Sequence, residues 1–119
     1  MKLPSRPEEA EQRAVAQYLD MRRDLVWCHV PNGGARHRAE GGKLKAQGVK
    51  PGVPDVLIFT PTKTRRANGT AIELKRRDGG EVQESQKVWI DKLICCGWQA
   101  HICNGSDESI DLIKRLYGE

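Results

Sequence analysis

The chain has 119 residues, enough for one hydrophobic core but not for two. With 38% apolar and 30% charged residues it reads as a folded, soluble domain rather than a disordered chain. Twenty Lys and Arg against 16 Asp and Glu give a net charge of +4, which suits a polyanionic partner without naming one. No apolar stretch approaches the roughly 18–20 residues that span a bilayer, so no membrane partner is expected. Met1-Lys2-Leu3-Pro4-Ser5-Arg6 has no apolar run behind its positive charges, so no secretory signal is expected either. The four cysteines, Cys28, Cys95, Cys96 and Cys103, form no Cys-x-x-Cys pair. They read as reduced, mostly buried thiols of an intracellular protein and not as a zinc site.

Ser5-Arg6-Pro7-Glu8 opens a helix: Ser5 can cap it, Pro7 suits its first turn, and Glu8 takes the capping-box place. The helix runs to about Arg22-Arg23-Asp24. Glu8, Gln12, Val15 and Leu19 share one stripe, with Glu11 and Tyr18 beside it. Polar residues leading an apolar stripe mean that this end of the helix faces something polar. Attraction to the positive end of the helix dipole is an alternative reason for Glu8. Leu25–Val30 reads as the first strand, closed by a turn at Pro31-Asn32-Gly33-Gly34. The glycine-rich loop, with Asn32, Arg36 and Arg38, can bring backbone N–H groups and guanidinium forks to phosphates. Arg38–Gln47 reads as a short helix; each glycine in its first half costs about 1 kcal/mol against alanine, which restricts the ordered part to Gly42–Gln47. Gly48 stops it. Lys43, Lys45 and Lys50 form a basic cluster that suits either a DNA backbone or a solvated face.

A turn, Gly52-Val53-Pro54, then delivers Asp55 to the strand Asp55–Phe59. A loop ending in Asn68-Gly69 and carrying Lys63, Arg65 and Arg66 leads to an antiparallel neighbour, Thr70–Arg76. Side chains alternate along a strand, so Asp55 shares a face with Leu57 and Phe59, while Glu73 and Lys75 point away from Ile72 and Leu74. Pairing of the two runs brings two carboxylates and an ammonium to one end of a sheet. Such a set can hold a hard divalent cation and position a water near a phosphate. From about Gln83 a helix places Gln86, Trp89, Ile90 and Leu93 on one face and ends at Cys95-Cys96-Gly97. Gln86 heads that stripe, where it can meet a phosphate or a water; Trp89 reads as core. Trp98–Cys103 is a further strand. Ser106 caps the last helix, whose buried stripe is Ile110, Ile113, Leu116 and Tyr117. The order αβαββαβα predicts a small α/β domain with a central mixed sheet flanked by helices.

Pro54-Asp55 followed by Glu73-Leu74-Lys75 reproduces the PD-(D/E)xK nuclease motif. With Gly52-Val53 ahead of it, Gln86-Lys87-Val88-Trp89 behind it and Asn32-Gly33-Gly34 upstream, the stretch from Glu8 to Cys103 resembles the VRR-NUC branch, the virus-type replication-repair nucleases. The resemblance implies one nuclease domain over residues 1–119, with a restriction-endonuclease-like core and metal-dependent hydrolysis of DNA phosphodiesters. Asp55 and Glu73 are the expected metal ligands. The resemblance adds the Leu74 backbone carbonyl and a glutamate of the first helix, for which Glu8 matches best and Glu11 is the other candidate. It also places Gln86 in a Gln-x-x-Trp motif near the catalytic residues. Mg2+, with Mn2+ as a substitute, suits carboxylates, retained waters and phosphate oxygens. Lys75 is expected to orient the water or stabilise developing charge rather than act as general base. Small stand-alone members of this branch are phage-associated homodimers that act on branched DNA such as Holliday junctions. The expected partners are therefore junction DNA and a second copy of the chain, in the cytoplasm of a cell or of a phage host. A non-catalytic nucleic-acid-binding module on the same fold is the alternative.

Overall fold

The computed structural model describes residues 4–31 and 41–119. Its elements are α1 (Glu8–Met21), β1 (Trp27–His29), α2 (Gly41–Ala46), β2 (Val56–Ile58), β3 (Thr70–Lys75), α3 (Glu84–Cys95), β4 (Gln99–Asn104) and α4 (Ser106–Tyr117). This is the expected order. The strands form one four-stranded sheet in the order β1-β2-β3-β4. The first two pairings are antiparallel and β3 runs parallel to β4. Parallel neighbours need a crossover, and α3 supplies it.

Alternation divides the sheet into two faces. Val56, Ile58, Ile72, Leu74 and Cys103 point into the core, where Val15 and Leu19 of α1 and Leu112, Ile113 and Tyr117 of α4 cover them. Leu57, Ala71, Glu73 and Lys75 occupy the other face, under α3. The coverage is unequal. No residue of α3 is fully buried, and Val88 and Ile94 are exposed. Trp89, expected in the core, is only half-buried for the same reason. No helix among the described residues is long and apolar enough to cross a membrane.

Other expectations are also corrected. Cys28, Cys95 and Cys96 are exposed and only Cys103 is buried. Cys28 lies on the edge strand β1, and the other pair at the open end of α3. Burial pushes the Cys103 thiol up to about 11. Ser5 does not cap α1; the N-cap is Pro7, without a side-chain bond. Ser106 does not cap α4 but begins it, behind Gly105 at φ 91°. In the last helix Leu112 is buried, while Ile110 and Leu116 are half-buried. The β2–β3 loop is anchored to α4 by the Lys63 N–H, which donates to the Leu116 carbonyl at 2.9 Å. It is also closed by Thr62, whose N–H donates to the Ala67 carbonyl at 3.1 Å. Since β2 starts just after Asp55 and β3 ends at Lys75, this loop lies at the opposite end of the sheet from both.

Candidate active site

The turn before β2 is pressed against the start of α3. Gly52 has φ 86°, and a Cβ there would lie 2.5 Å from the Ser85 carbonyl carbon and oxygen. Glycine alone meets both demands. Gly52→Ala is expected to cost about 1–3 kcal/mol, read as a lower urea midpoint, and to displace Asp55. A midpoint and cleavage rate equal to wild type would refute this account of the turn.

Pro54 is fully buried and lies beyond the last β2–β3 pair, Val56 with Ile72. There the Asp55 side chain supplies the acceptor that a facing strand would otherwise offer: its Oδ2 accepts the Leu74 N–H at 2.7 Å. Val56 is paired with Ile72, so one step further along the register sets Asp55 opposite Glu73, on the same face. The sheet itself therefore brings the two carboxylates together. Burial, first, and repulsion from Asp55, second, push the Glu73 carboxyl up to about 8. Gln86 reaches in from α3. Its Nε2 donates to Glu73 Oε2 at 3.0 Å. Its Oε1 accepts from Lys75 Nζ at 3.0 Å and from the Gln83 N–H at 2.8 Å. Lys75 Nζ stands 3.7 Å from Glu73 Oε2. Gln86 thus serves both the capping box of α3 and the acid–lysine pair.

The two acids of α1 have different surroundings. Partial desolvation and the charge of Asp55 raise the Glu8 carboxyl, while Lys75 and Arg76 oppose the rise. Glu8 therefore lies within electrostatic reach of the sheet-end acids. Glu11 is completely buried and points elsewhere. Its Oε2 accepts from Arg77 Nε at 2.7 Å. Its Oε1 accepts from Arg77 Nη2 at 3.0 Å, Arg6 Nη2 at 2.7 Å and the Ser106 N–H at 3.0 Å. The Arg77 bonds come first among the causes that hold this carboxyl far below the usual range.

Two carboxylates directly opposite each other in a sheet repel. That repulsion adds to burial, the larger cause, in raising the Glu73 acid, and a cation between the two carboxylates relieves it. Among the described residues no three His, Cys, Asp or Glu side chains gather into a ready-made cage. A pair of carboxylates with waters retained suits Mg2+, which seldom takes an all-protein shell. Gln12, one turn along α1 from Glu8, buries Nε2 and Oε1 without a partner, so polar capacity is left over on the helix that carries Glu8. The residues present fit the ion.

Lys43 and Lys45 on α2 and Lys50 beyond it are exposed and form no ion pair among the described residues. They lie on the segment that leads into the Gly52–Asp55 turn. Asn32, Arg36 and Arg38 fall outside the described residues. Sequence reasoning missed Gln83 and Arg77. Gln83 had a signal, its three-residue spacing to Gln86, which is that of a capping box. Arg77 had none, since its partner is 66 positions away.

The family model for the VRR-NUC domain matches residues 6–107. No curated protein matches the chain. A solved structure of a VRR-NUC domain protein aligns with a TM-score of 0.78 and 25% identity, covering 96% of this chain and 90% of that one. With the family model spanning most of the chain and the fold shared almost end to end, the protein belongs to the VRR-NUC family and carries its nuclease domain.

Proposed function

We propose that this protein is a Mg2+-dependent endonuclease that hydrolyses DNA phosphodiester bonds, with branched DNA such as a Holliday junction as its preferred substrate. The observation that carries the reading is the opposition of Asp55 and Glu73, with Lys75 and Gln86 bonded into the same cluster. Asp55, Glu73 and the Leu74 carbonyl would hold Mg2+ or Mn2+, with Glu8 completing the acidic set directly or through water. When bound, the ion supplies Lewis-acid activation of water and offsets charge on the phosphate. The chain's own residues do the rest. Gln86 fixes Glu73 and Lys75 relative to each other. The Lys75 ammonium orients the attacking water or meets the charge that develops on the phosphate oxygens. Lys43, Lys45 and Lys50, with Asn32, Arg36 and Arg38, contact the DNA backbone, which makes binding fall with salt. Two copies related by a two-fold axis would present two sites for the paired cuts that resolve a junction.

Cleavage of a four-way junction, linear duplex and plasmid, each with Mg2+ or chelator, tests the reading, together with the size of the protein in solution. Metal-dependent junction cleavage by a dimer supports it. Salt-sensitive DNA binding without cleavage in either Mg2+ or Mn2+ makes the protein a binding module instead. A further expectation concerns the ion alone. Saturating Mn2+ at about 100 times its dissociation constant should raise stability by about 2.7 kcal/mol. Below the raised pKa of Glu73, binding should also release a proton, because the carboxyl must ionise to ligate. Calorimetry in buffers of different ionisation enthalpy reads that proton directly; a release of zero at neutral pH would mean that Glu73 is already ionised in the metal-free protein.

A further inference from the structure

The completely buried Glu11 sits one helical turn beyond Glu8. A carboxylate inside a protein is costly unless paired and hydrogen-bonded, and the four bonds to Glu11 meet that condition. Its partners come from three separate parts of the chain: Arg6 ahead of α1, Arg77 just past the end of β3, and the first N–H of α4. The same junction is tied again by the Gly105 N–H, which donates to the Lys75 carbonyl at 2.8 Å. A Cβ on Gly105 would lie 2.9 Å from Arg77 Cβ, so the backbone entering α4 rests directly on Arg77.

Apolar packing through Val15 and Leu19 presses α1 onto the sheet, but such contacts tolerate a small slide or rotation of the helix. Charge-assisted bonds to a guanidinium fork are directional and do not. They fix the rotation of α1 at Glu11, and because Glu8 lies on the preceding turn of the same helix, they fix where the Glu8 side chain leaves the backbone as well. The other end of the fork is Arg77, two residues after Lys75 on the same backbone. We infer that Glu11 and Arg77 are positioning residues: their buried pair sets the angle at which α1 offers Glu8 to the acids of β2 and β3. The inference rests on the nuclease reading and gives the second acid of α1 a role distinct from metal ligation.

The test uses the full chain with Arg77→Lys, which keeps the neutralising charge and removes the fork, and with Glu11→Gln, which keeps the shape. Mn2+ affinity by electron paramagnetic resonance, kcat and KM on junction DNA, and melting temperature are measured for each. Groups that orient metal ligands typically change affinity or activity by about 10–100-fold. That loss is expected in Mn2+ affinity and kcat for both variants, with KM for DNA unchanged. The double variant Glu8→Gln/Arg77→Lys should lose no more than Glu8→Gln alone, since the clamp acts through Glu8. If Glu11→Gln does not fold, Arg77→Lys and the double variant carry the test. Variants that melt earlier yet keep wild-type Mn2+ affinity and kcat overturn the inference, as do losses that add in the double variant. Wild-type protein that neither binds Mn2+ nor cleaves DNA overturns the nuclease reading and takes this inference with it, which is a distinguishable failure.

Discussion

Asp55→Asn is expected to lower metal-dependent cleavage by on the order of 1,000-fold, the scale on which a lost group at developing charge is felt. The substitution isolates charge from architecture. The Asn side-chain oxygen can still accept the Leu74 N–H that Asp55 Oδ2 holds at 2.7 Å. The fold should therefore persist, and the melting temperature of the metal-free protein should equal or exceed wild type, because a like-charge opposition has been removed. Glu73 should ionise at a lower pH once the repulsion from Asp55, one cause of its upward shift, is gone. Single-turnover cleavage in Mg2+ and a thermal melt in chelator read the two halves of this expectation. Retention of more than about a tenth of the wild-type rate would remove Asp55 from the reaction.

Glu11→Ala should be strongly destabilising. It strands the Arg77 and Arg6 guanidinium groups and leaves the first N–H of α4 uncapped. Deleting one partner of a fully buried charge pair costs about 3–5 kcal/mol; here the guanidinium groups left behind are partly open to water, so that range is the upper bound, against a total of about 5–15 kcal/mol for a typical domain. The same carboxylate has a pH signature. Its folded-state pKa is depressed below the ordinary 4.5, so its contribution is fully present above that value and is lost as pH falls toward the folded one. Glu8 and Glu73 are shifted upward and act in the opposite sense. The clean observable is therefore the difference between wild type and Glu11→Gln in urea midpoint, from about pH 6 down to about pH 3. That gap should shrink on acidification; a gap that stays constant would deny Glu11 its ionised role.

The alternation in Ala71-Ile72-Glu73-Leu74-Lys75 and the turn ending in Pro54-Asp55 were legible because both obey local rules, a period of two and a proline that suits a turn. Together they anticipated the meeting of Asp55, Glu73 and Lys75, and the order of elements followed from the same patterning. What was not legible depends on distant partners. Glu8 and Glu11 are both acids near the start of one helix; Glu11 shares the four-residue spacing of the buried Val15 and Leu19 and Glu8 does not, but the partners that hold Glu11, Arg77 and Ser106, lie 66 and 95 positions away. Ser106 looked like a cap because its type suits one, yet the capping oxygen comes from Glu11. Trp89 looked like core because large apolar residues usually are, but it lies on a helix that covers the sheet from one side and is itself left open.

All six residues of β3 are buried and it is paired on both edges. Amides in such a strand exchange with solvent only when the whole domain opens. Leu74 is buried near the end of this row, beyond the last residue that β2 pairs, and its N–H is held by a side chain, Asp55 Oδ2, rather than by a neighbouring strand. Rotation of the Asp55 side chain releases this N–H without unzipping the sheet. The exchange rate of that single amide therefore clocks how often one acid of the cluster swings away, against a background of neighbours that report only global unfolding.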